Sequence, residues 1–306
     1  MFTRRHLLAS LPLFTAAPSA RAGEASLTVP IVVTRQRRIM TSLSISDQGP
    51  FYFIVDSGAF VSALRPSIIR KLGLRRVDSM RVGGLGGSDY AQVYDARKVV
   101  FGESFRVDAM AMAGLEFLEK ADADGLLAAG FLTAAEAALD FDKLRIDFHP
   151  GGKGLNLDGY TAWPTRRELD GAGEKIFIDV TVDGLRANCL LDTGAQPAVI
   201  LGSDFVKKHK LWDRYADPQE GKRRGVHGDE VRSRFVHANT LEVGNLPVKG
   251  GPLTLLTPTA NDHLGVGCDG IIGMGAIGRF NLIFKKDSLY AKPNRYFEEV
   301  APLFSA

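Results

Sequence analysis

The chain has 306 residues, 45% of them hydrophobic and 24% charged, which suits a substantial core in two domains or two lobes and excludes intrinsic disorder. Its formal charge of +3 arises at the extreme N-terminus, where Arg4, Arg5 and Arg21 precede the first acid, Glu24, and beyond which basic and acidic residues balance. The charge therefore gives no ground for a nucleic-acid partner, which needs basic residues clustered on a folded face.

In chain order, the first element is an export signal over residues 1–22. It has a basic start, Thr3-Arg4-Arg5-His6, an apolar stretch from Leu7 to Ala17, and a small-x-small cleavage site at Ala20-Arg21-Ala22. The mature chain is expected to begin at Gly23 and to be exported into the periplasm. Arg4-Arg5 before Leu7-Leu8 resembles a twin-arginine signal, although ordinary secretory signals also carry paired basic residues. No later segment approaches about 20 apolar residues, so no stable membrane insertion is expected after signal removal.

A strand is predicted over Ile39 to Ile45, then a turn at Asp47-Gln48-Gly49-Pro50, then an apolar run, Phe53-Ile54-Val55, ending in Asp56-Ser57-Gly58-Ala59. A helix follows over Pro66 to Leu72, stopped by Gly73. The glycine-bearing stretch from Arg81 to Tyr94 suits the tip of a mobile hairpin. Val99 to Phe105 reads as two strands around a tight turn. Asp124-Gly125-Leu126-Leu127-Ala128 then precedes a helical segment and a closing strand pair over Leu139 to Phe148.

The second half repeats this order. Ile176 to Val182 alternates with period two, Asp183-Gly184 offers a hairpin turn, and Cys189-Leu190-Leu191 runs into Asp192-Thr193-Gly194-Ala195. A helix over Ser203 to His209, a glycine-bearing stretch from Gly221 to Phe235, a turn within Leu241 to Pro247, and Asp269-Gly270-Ile271-Ile272-Gly273 before closing strands over Phe280 to Tyr290 complete the match. One Asp-Ser/Thr-Gly triplet is more often an ordinary turn. Two, 136 residues apart with matched flanks, describe a duplicated lobe. Two carboxylates, one per lobe, then have a reason to meet: at about 3 Å they cannot both ionise and must share a proton.

With these residues the chain resembles the retropepsin-like branch of the aspartic peptidases, of the exported bacterial type with two tandem lobes. The resemblance implies an all-β fold of two pseudo-symmetric β-barrel lobes, the acid-protease fold, with a cleft between lobes of 23–160 and 161–306. It implies that Asp56 and Asp192 form the catalytic dyad of an aspartic endopeptidase, supported by Ser57, Gly58, Thr193 and Gly194. It places flaps over substrate at 81–94 and 221–235, with Gly84, Gly86, Tyr90, Val226 and His227 as substrate-facing candidates, and threading strands beginning at Gly125 and Gly270. The expected partner is a peptide or protein substrate bound extended by backbone hydrogen bonds and side-chain pockets, in a monomer, with no metal and no cofactor. A second reading is a peptide-binding envelope protein that keeps the fold without turnover.

The copies are unequal. Ala128 stands where the second half has Gly273, and its methyl is expected to crowd the threading strand; Ser57 stands opposite Thr193. Gly84-Leu85-Gly86 fails the dinucleotide fingerprint, the histidines have no zinc-ligand spacing, and no Gly-x-Ser-x-Gly elbow occurs. Lys222-Arg223-Arg224 is too short a run to define a charged partner and reads as a solvated loop. Cys189 and Cys268, the two cysteines, leave two readings open: a disulfide in an oxidising compartment, or two small buried apolar residues.

Overall fold

A computed structural model describes residues 27–299, apart from 85–86, 103–104, 171–172, 225–229, 261, 263 and 265–266. The export signal expected over 1–22 and the start at Gly23 lie outside the described residues. Almost every regular element is a strand, and three sheets collect them. An eight-stranded sheet is built from the first half and a ten-stranded sheet from the second. The third has six strands, in the order Leu27–Pro30, Arg145–Phe148, Ala137–Asp140, Phe280–Lys285, Ser288–Pro293, Thr161–Trp163.

That third sheet joins the halves, because three of its strands come from each. They meet in an antiparallel pairing of Ala137 with Phe284, Ala138 with Ile283 and Leu139 with Leu282. The order outward from this seam is the same on both sides, so the pseudo-twofold axis passes through the Ala138–Ile283 pair. Asn281 reinforces the seam: its Oδ1 accepts from the Phe141 N–H at 2.8 Å, and its Nδ2 donates to Asp142 Oδ2 at 2.7 Å.

Local chemistry accounts for the elements that frame the site. Ile39–Ile45 alternates buried and half-buried residues, the period of a strand with one face on the core. The turn that follows differs from expectation. Ser46 and Asp47 take the left-handed conformation, φ 49° and 63°, and the strand resumes at Gln48. A two-residue turn with both φ positive matches the right-handed twist of its strands, so Gln48, Gly49 and Pro50 are already strand rather than turn. Asp183 and Gly184, φ 47° and 79°, make the corresponding turn where it was predicted.

The helix Pro66–Leu72 has Pro in its first turn and ends on Gly73 at φ 60°, whose N–H caps the Arg70 and Ile69 carbonyls. Its counterpart is Ser203–Lys208. Beneath the sheets the core is largely aromatic in the first half: Phe148 of the six-stranded sheet stacks on Phe105 at 4.6 Å, and Phe131 packs edge-on to Phe148 at 5.0 Å. Each such ring contributes about 1.5–3 kcal/mol by burial, which ties the joining sheet to the first lobe. In the second, Trp163 packs edge-on to Phe280 of the same sheet, at 4.9 Å, and its indole lies against Gly244, in the turn after Leu241–Val243 of the ten-stranded sheet. Among the described residues no helix is long and apolar enough to cross a membrane.

Candidate active site

Each Asp is delivered by a strand that runs parallel to a short threading strand. Gln48–Val55 pairs with Gly125–Leu127, Phe53 opposite Gly125 and Val55 opposite Leu127; Leu185–Leu191 pairs with Gly270–Ile272 in the same register. The Asp56 N–H donates to the Leu127 carbonyl at 2.8 Å and the Asp192 N–H to Ile272 at 2.9 Å. A Cβ at Gly125 would overlap the Ala63 carbonyl oxygen, and one at Gly270 the Ile200 carbonyl oxygen, so both positions require glycine for close backbone approach.

The acid before each threading glycine has a role that its place in the repeat did not disclose. Asp124 Oδ2 accepts from the Tyr52 N–H and Asp269 Oδ2 from the Asn188 N–H, both at 2.9 Å. The two carboxylates pin the dyad strands to the threading strands at equivalent points, four residues before each catalytic candidate. The signal was present as Asp-Gly repeated in both halves; the acceptor role needed the register.

The loops are locked to one another by a reciprocal set of buried bonds. Ser57 N–H donates to Thr193 Oγ1 at 2.9 Å, and Thr193 N–H donates to Ser57 Oγ at 3.0 Å. Each hydroxyl then donates to the strand of the opposite lobe, Ser57 to the Leu191 carbonyl at 2.8 Å and Thr193 to the Val55 carbonyl at 2.7 Å. Every hydroxyl is thus donor and acceptor at once, in a site where an unmade bond costs about 1–3 kcal/mol. Serine supplies all that threonine does here.

The lock brings Asp56 and Asp192 into hydrogen-bond contact with each other. Asp56 Oδ1 accepts from the Gly58 and Ala59 N–H groups, both at 3.0 Å, and Asp192 Oδ1 from Gly194 and Ala195 at 2.8 and 2.9 Å. The glycines cross over: a Cβ on Gly194 would lie 2.5 Å from Asp56 Cγ, and one on Gly58 would overlap Asp192. Each glycine makes room for the other lobe's carboxyl.

Burial, then the Asp192 charge and hydrogen bond, hold the Asp56 proton well above the ordinary carboxylate range, against the pull of the Ala59 and Gly58 N–H groups. Burial also raises Asp192, while its bonds from Asp56, Gly194 and Ala195 favour its ionised form. Two carboxyls in such contact cannot both ionise, so the pair holds a shared proton. Such a proton belongs to the pair as a unit in titration. Both side chains keep a partial opening to solvent, as a group that meets substrate must.

The crowding expected at Ala128 does not occur. At Gly273 a Cβ would lie 2.5 Å from both the Ala195 and Pro197 carbonyl oxygens, and the Gly273 N–H bonds directly to the Ala198 carbonyl at 3.0 Å. In the first lobe the Ala128 N–H instead reaches the Ser62 hydroxyl, at 3.0 Å. A side-chain acceptor holds the two backbones further apart than a backbone acceptor does, and the methyl fits, 5% exposed.

The hairpins predicted as flaps are present. The first pairs Arg75–Gly84 with Gly87–Phe101, and the second pairs Gln219–Arg224 with Glu230–His237. Met80, Val82 and Ala91 join Ala59, Ile54 and Leu126 in one apolar cluster, so one face of the hairpin packs on the same core as the strand that carries Asp56. Val231 joins Ala195, Leu190 and Ile271 in the matching cluster of the second lobe. Tyr90 pairs with Arg81 on the opposite face and is 72% exposed; Met80 and Val82, missed in the sequence, are the residues of this strand that join the cluster. Gly84 ends its strand, while Gly86, Val226 and His227 lie outside the described residues.

Cys189 and Cys268 are both free thiols, the first buried and the second half-buried, beside Gly270. Among the described residues no three His, Cys, Asp or Glu side chains are grouped as metal ligands.

A family model described as aspartyl protease matches residues 41–131 and 178–276, one span in each half, both containing an Asp loop and its threading strand. The chain belongs to the aspartyl protease family. No curated protein matches its sequence. Among solved structures, conglutin gamma, a basic 7S globulin from lupine seeds, is 9% identical over 92% of this chain and 98% of its own, with a TM-score of 0.51. The basic 7S globulin from soybean is 8% identical over 92% and 99%, with a TM-score of 0.46. A retropepsin-like aspartic protease from Rickettsia conorii is 20% identical over 41% of this chain and 91% of its own, with a TM-score of 0.30. The lupine likeness shows the fold alone, and that fold is the two-lobed one of the aspartyl proteases.

Proposed function

We propose that the protein is an aspartic endopeptidase that hydrolyses peptide bonds with a water activated between Asp56 and Asp192. The observation that carries this reading is the pair of half-buried carboxyls in mutual hydrogen-bond contact, with four loop N–H groups orienting them. Asp192, ionised, accepts a proton from the water as its oxygen attacks the carbonyl carbon. Asp56 gives its proton to the carbonyl oxygen. Collapse of the gem-diol intermediate breaks the C–N bond, the departing nitrogen takes the proton held by Asp192, and a hydroxyl proton of the intermediate returns to Asp56 as the carboxyl product forms, restoring the starting dyad.

The substrate is a peptide or unfolded protein lying extended across the Asp loops. The apolar clusters around Leu126 and Ile271 on either side of the dyad favour apolar residues flanking the scissile bond. The mature chain acts after export, as a monomer, since one chain supplies both carboxyls.

The test is Asp56→Asn and Asp192→Asn, each assayed on a denatured protein mixture beside the wild type, with thermal unfolding to establish the fold. Each substitution is expected to lower turnover by about 10²–10⁴-fold. Cleavage that survives in either folded variant rejects the dyad; a folded wild type that binds peptide and cleaves none supports the peptide-binding reading instead.

A further inference from the structure

Away from the dyad, a cavity of about 370 Å3 opens between the strand Val32–Val33, the turn after Asp140 and the short helix Met274–Ile277. Its walls are largely apolar, formed by Val32, Phe141, Leu144, Met274 and Tyr296, with Arg37, Arg279 and Glu299 as their charged members. Two of these, Val32 at 64% and Leu144 at 42%, are among the few large apolar side chains left exposed in the described residues, and they form an apolar rim. The volume is at the small end of the range for ligand pockets, about 300–1,000 Å3.

One wall carries a buried cation whose terminal donors the described residues leave unmet. Arg279 is 3% exposed, and its Nε donates to the Gly275 carbonyl at 3.2 Å. Its two terminal nitrogens meet no acceptor among the described residues. Burying a guanidinium without an anionic partner is costly, and Arg37, a second cation in the lining, adds like charge. Both effects oppose its charged form, burial first and Arg37 next, while Glu299, which also lines the cavity, and Glu298 favour it. Glu298 is already paired with Lys249. A planar fork of donors in an apolar pocket matches a carboxylate, which accepts two parallel N–H bonds.

We propose that this cavity binds a carboxylate carried on an apolar body, the carboxylate seated on Arg279 with Arg37 beside it and the apolar part against Phe141, Leu144 and Met274. Two sources share that chemistry, a medium-chain fatty acid and the C-terminal residue of an apolar peptide. Calorimetric titration of the full chain with decanoate, decanol, and an apolar tripeptide with free or amidated C-terminus separates them. Decanoate binding without tripeptide binding assigns a lipid, the reverse assigns a peptide end, and either supports the site.

Arg279→Met is expected to weaken whichever carboxylate binds by at least tenfold, with a thermal midpoint equal to or above that of the wild type because an unpaired buried cation is gone. Should that variant fail to fold, Leu144→Glu at the exposed rim places like charge at the mouth and is expected to weaken binding by a similar factor. The proposal is overturned if neither carboxylate binds at millimolar concentration, if decanol and the amidated peptide bind as well as their acids, or if the binding survives these substitutions unchanged.

Discussion

The two lobes reach the same carboxyl environment by different means. Around Asp56 and Asp192 the donors, the hydroxyl bonds and the strand pairing match almost bond for bond. One layer out they diverge: the second lobe packs Gly273 directly against the loop carbonyls, whereas the first inserts the Ser62 hydroxyl and fills the gap with the Ala128 methyl. The inner layer is held to the symmetry of the shared proton, and the outer layer is free to solve its own packing. Ser57 and Thr193 belong to the inner layer, and the methyl by which they differ takes no part in the bonds.

That division can be broken most sharply at the crossing glycines. Gly58→Ala and Gly194→Ala are both expected to abolish peptidase activity, because each new methyl displaces the other lobe's carboxyl; a variant with near-normal turnover would show that the close approach is not required. Next come the hydroxyls. Ser57→Ala and Thr193→Ala each leave two bonds unmade in a buried site and are expected to cost about 2–4 kcal/mol, Thr193→Ala about 1 kcal/mol more in chemical denaturation for the buried methyl it also deletes; a much larger inequality would place one lobe's lock above the other's.

The outer layer should answer unequally. Gly273→Ala is expected to cost about 1–3 kcal/mol by overpacking, while Ala128→Gly costs at most about 1 kcal/mol through backbone freedom; similar values in urea titration would remove the distinction between lobes. The dyad itself is read through the pH dependence of stability. Asp56 binds its proton more tightly when folded than when unfolded, so its contribution is fully present below the ordinary carboxylate range and is lost as pH rises toward its raised folded value. Asp56→Asn, which mimics the protonated form, removes that loss. The stability of the variant in chemical denaturation should therefore gain on the wild type as pH rises above the ordinary carboxylate range, by up to about 1.4 kcal/mol per pH unit; a constant difference would mean that the folded dyad is no harder to ionise than the unfolded chain.

Much of this site was legible in the sequence because duplication marks what both lobes need. Asp56 with Asp192 and Gly125 with Gly270 stand out as repeated phrases, and the fold follows from strands entering both. What stayed hidden depends on distant register. The seam of Ala138 with Ile283 joins strands that carry no local sign of their partner, and Tyr90 falls on the outer face of its hairpin by strand parity alone. The turn at Ser46–Asp47 was masked by Gly49-Pro50, a stronger turn signal that strand pairing overrides. Arg279 reads as an ordinary residue after a helix, since nothing local tells that its guanidinium is enclosed.

The seam at Ala138 and Ile283 also sets how the dyad responds to dilution. If two separate copies of one lobe met there, assembly would be bimolecular and both sides of the axis would carry the same residue. Within one chain the lobes are tethered, their effective concentration is fixed by the connection, and a small residue can face a large one across the axis. The two carboxyls consequently find each other at a rate independent of protein concentration, and the fraction of molecules holding an assembled pair is the same at nanomolar as at millimolar protein.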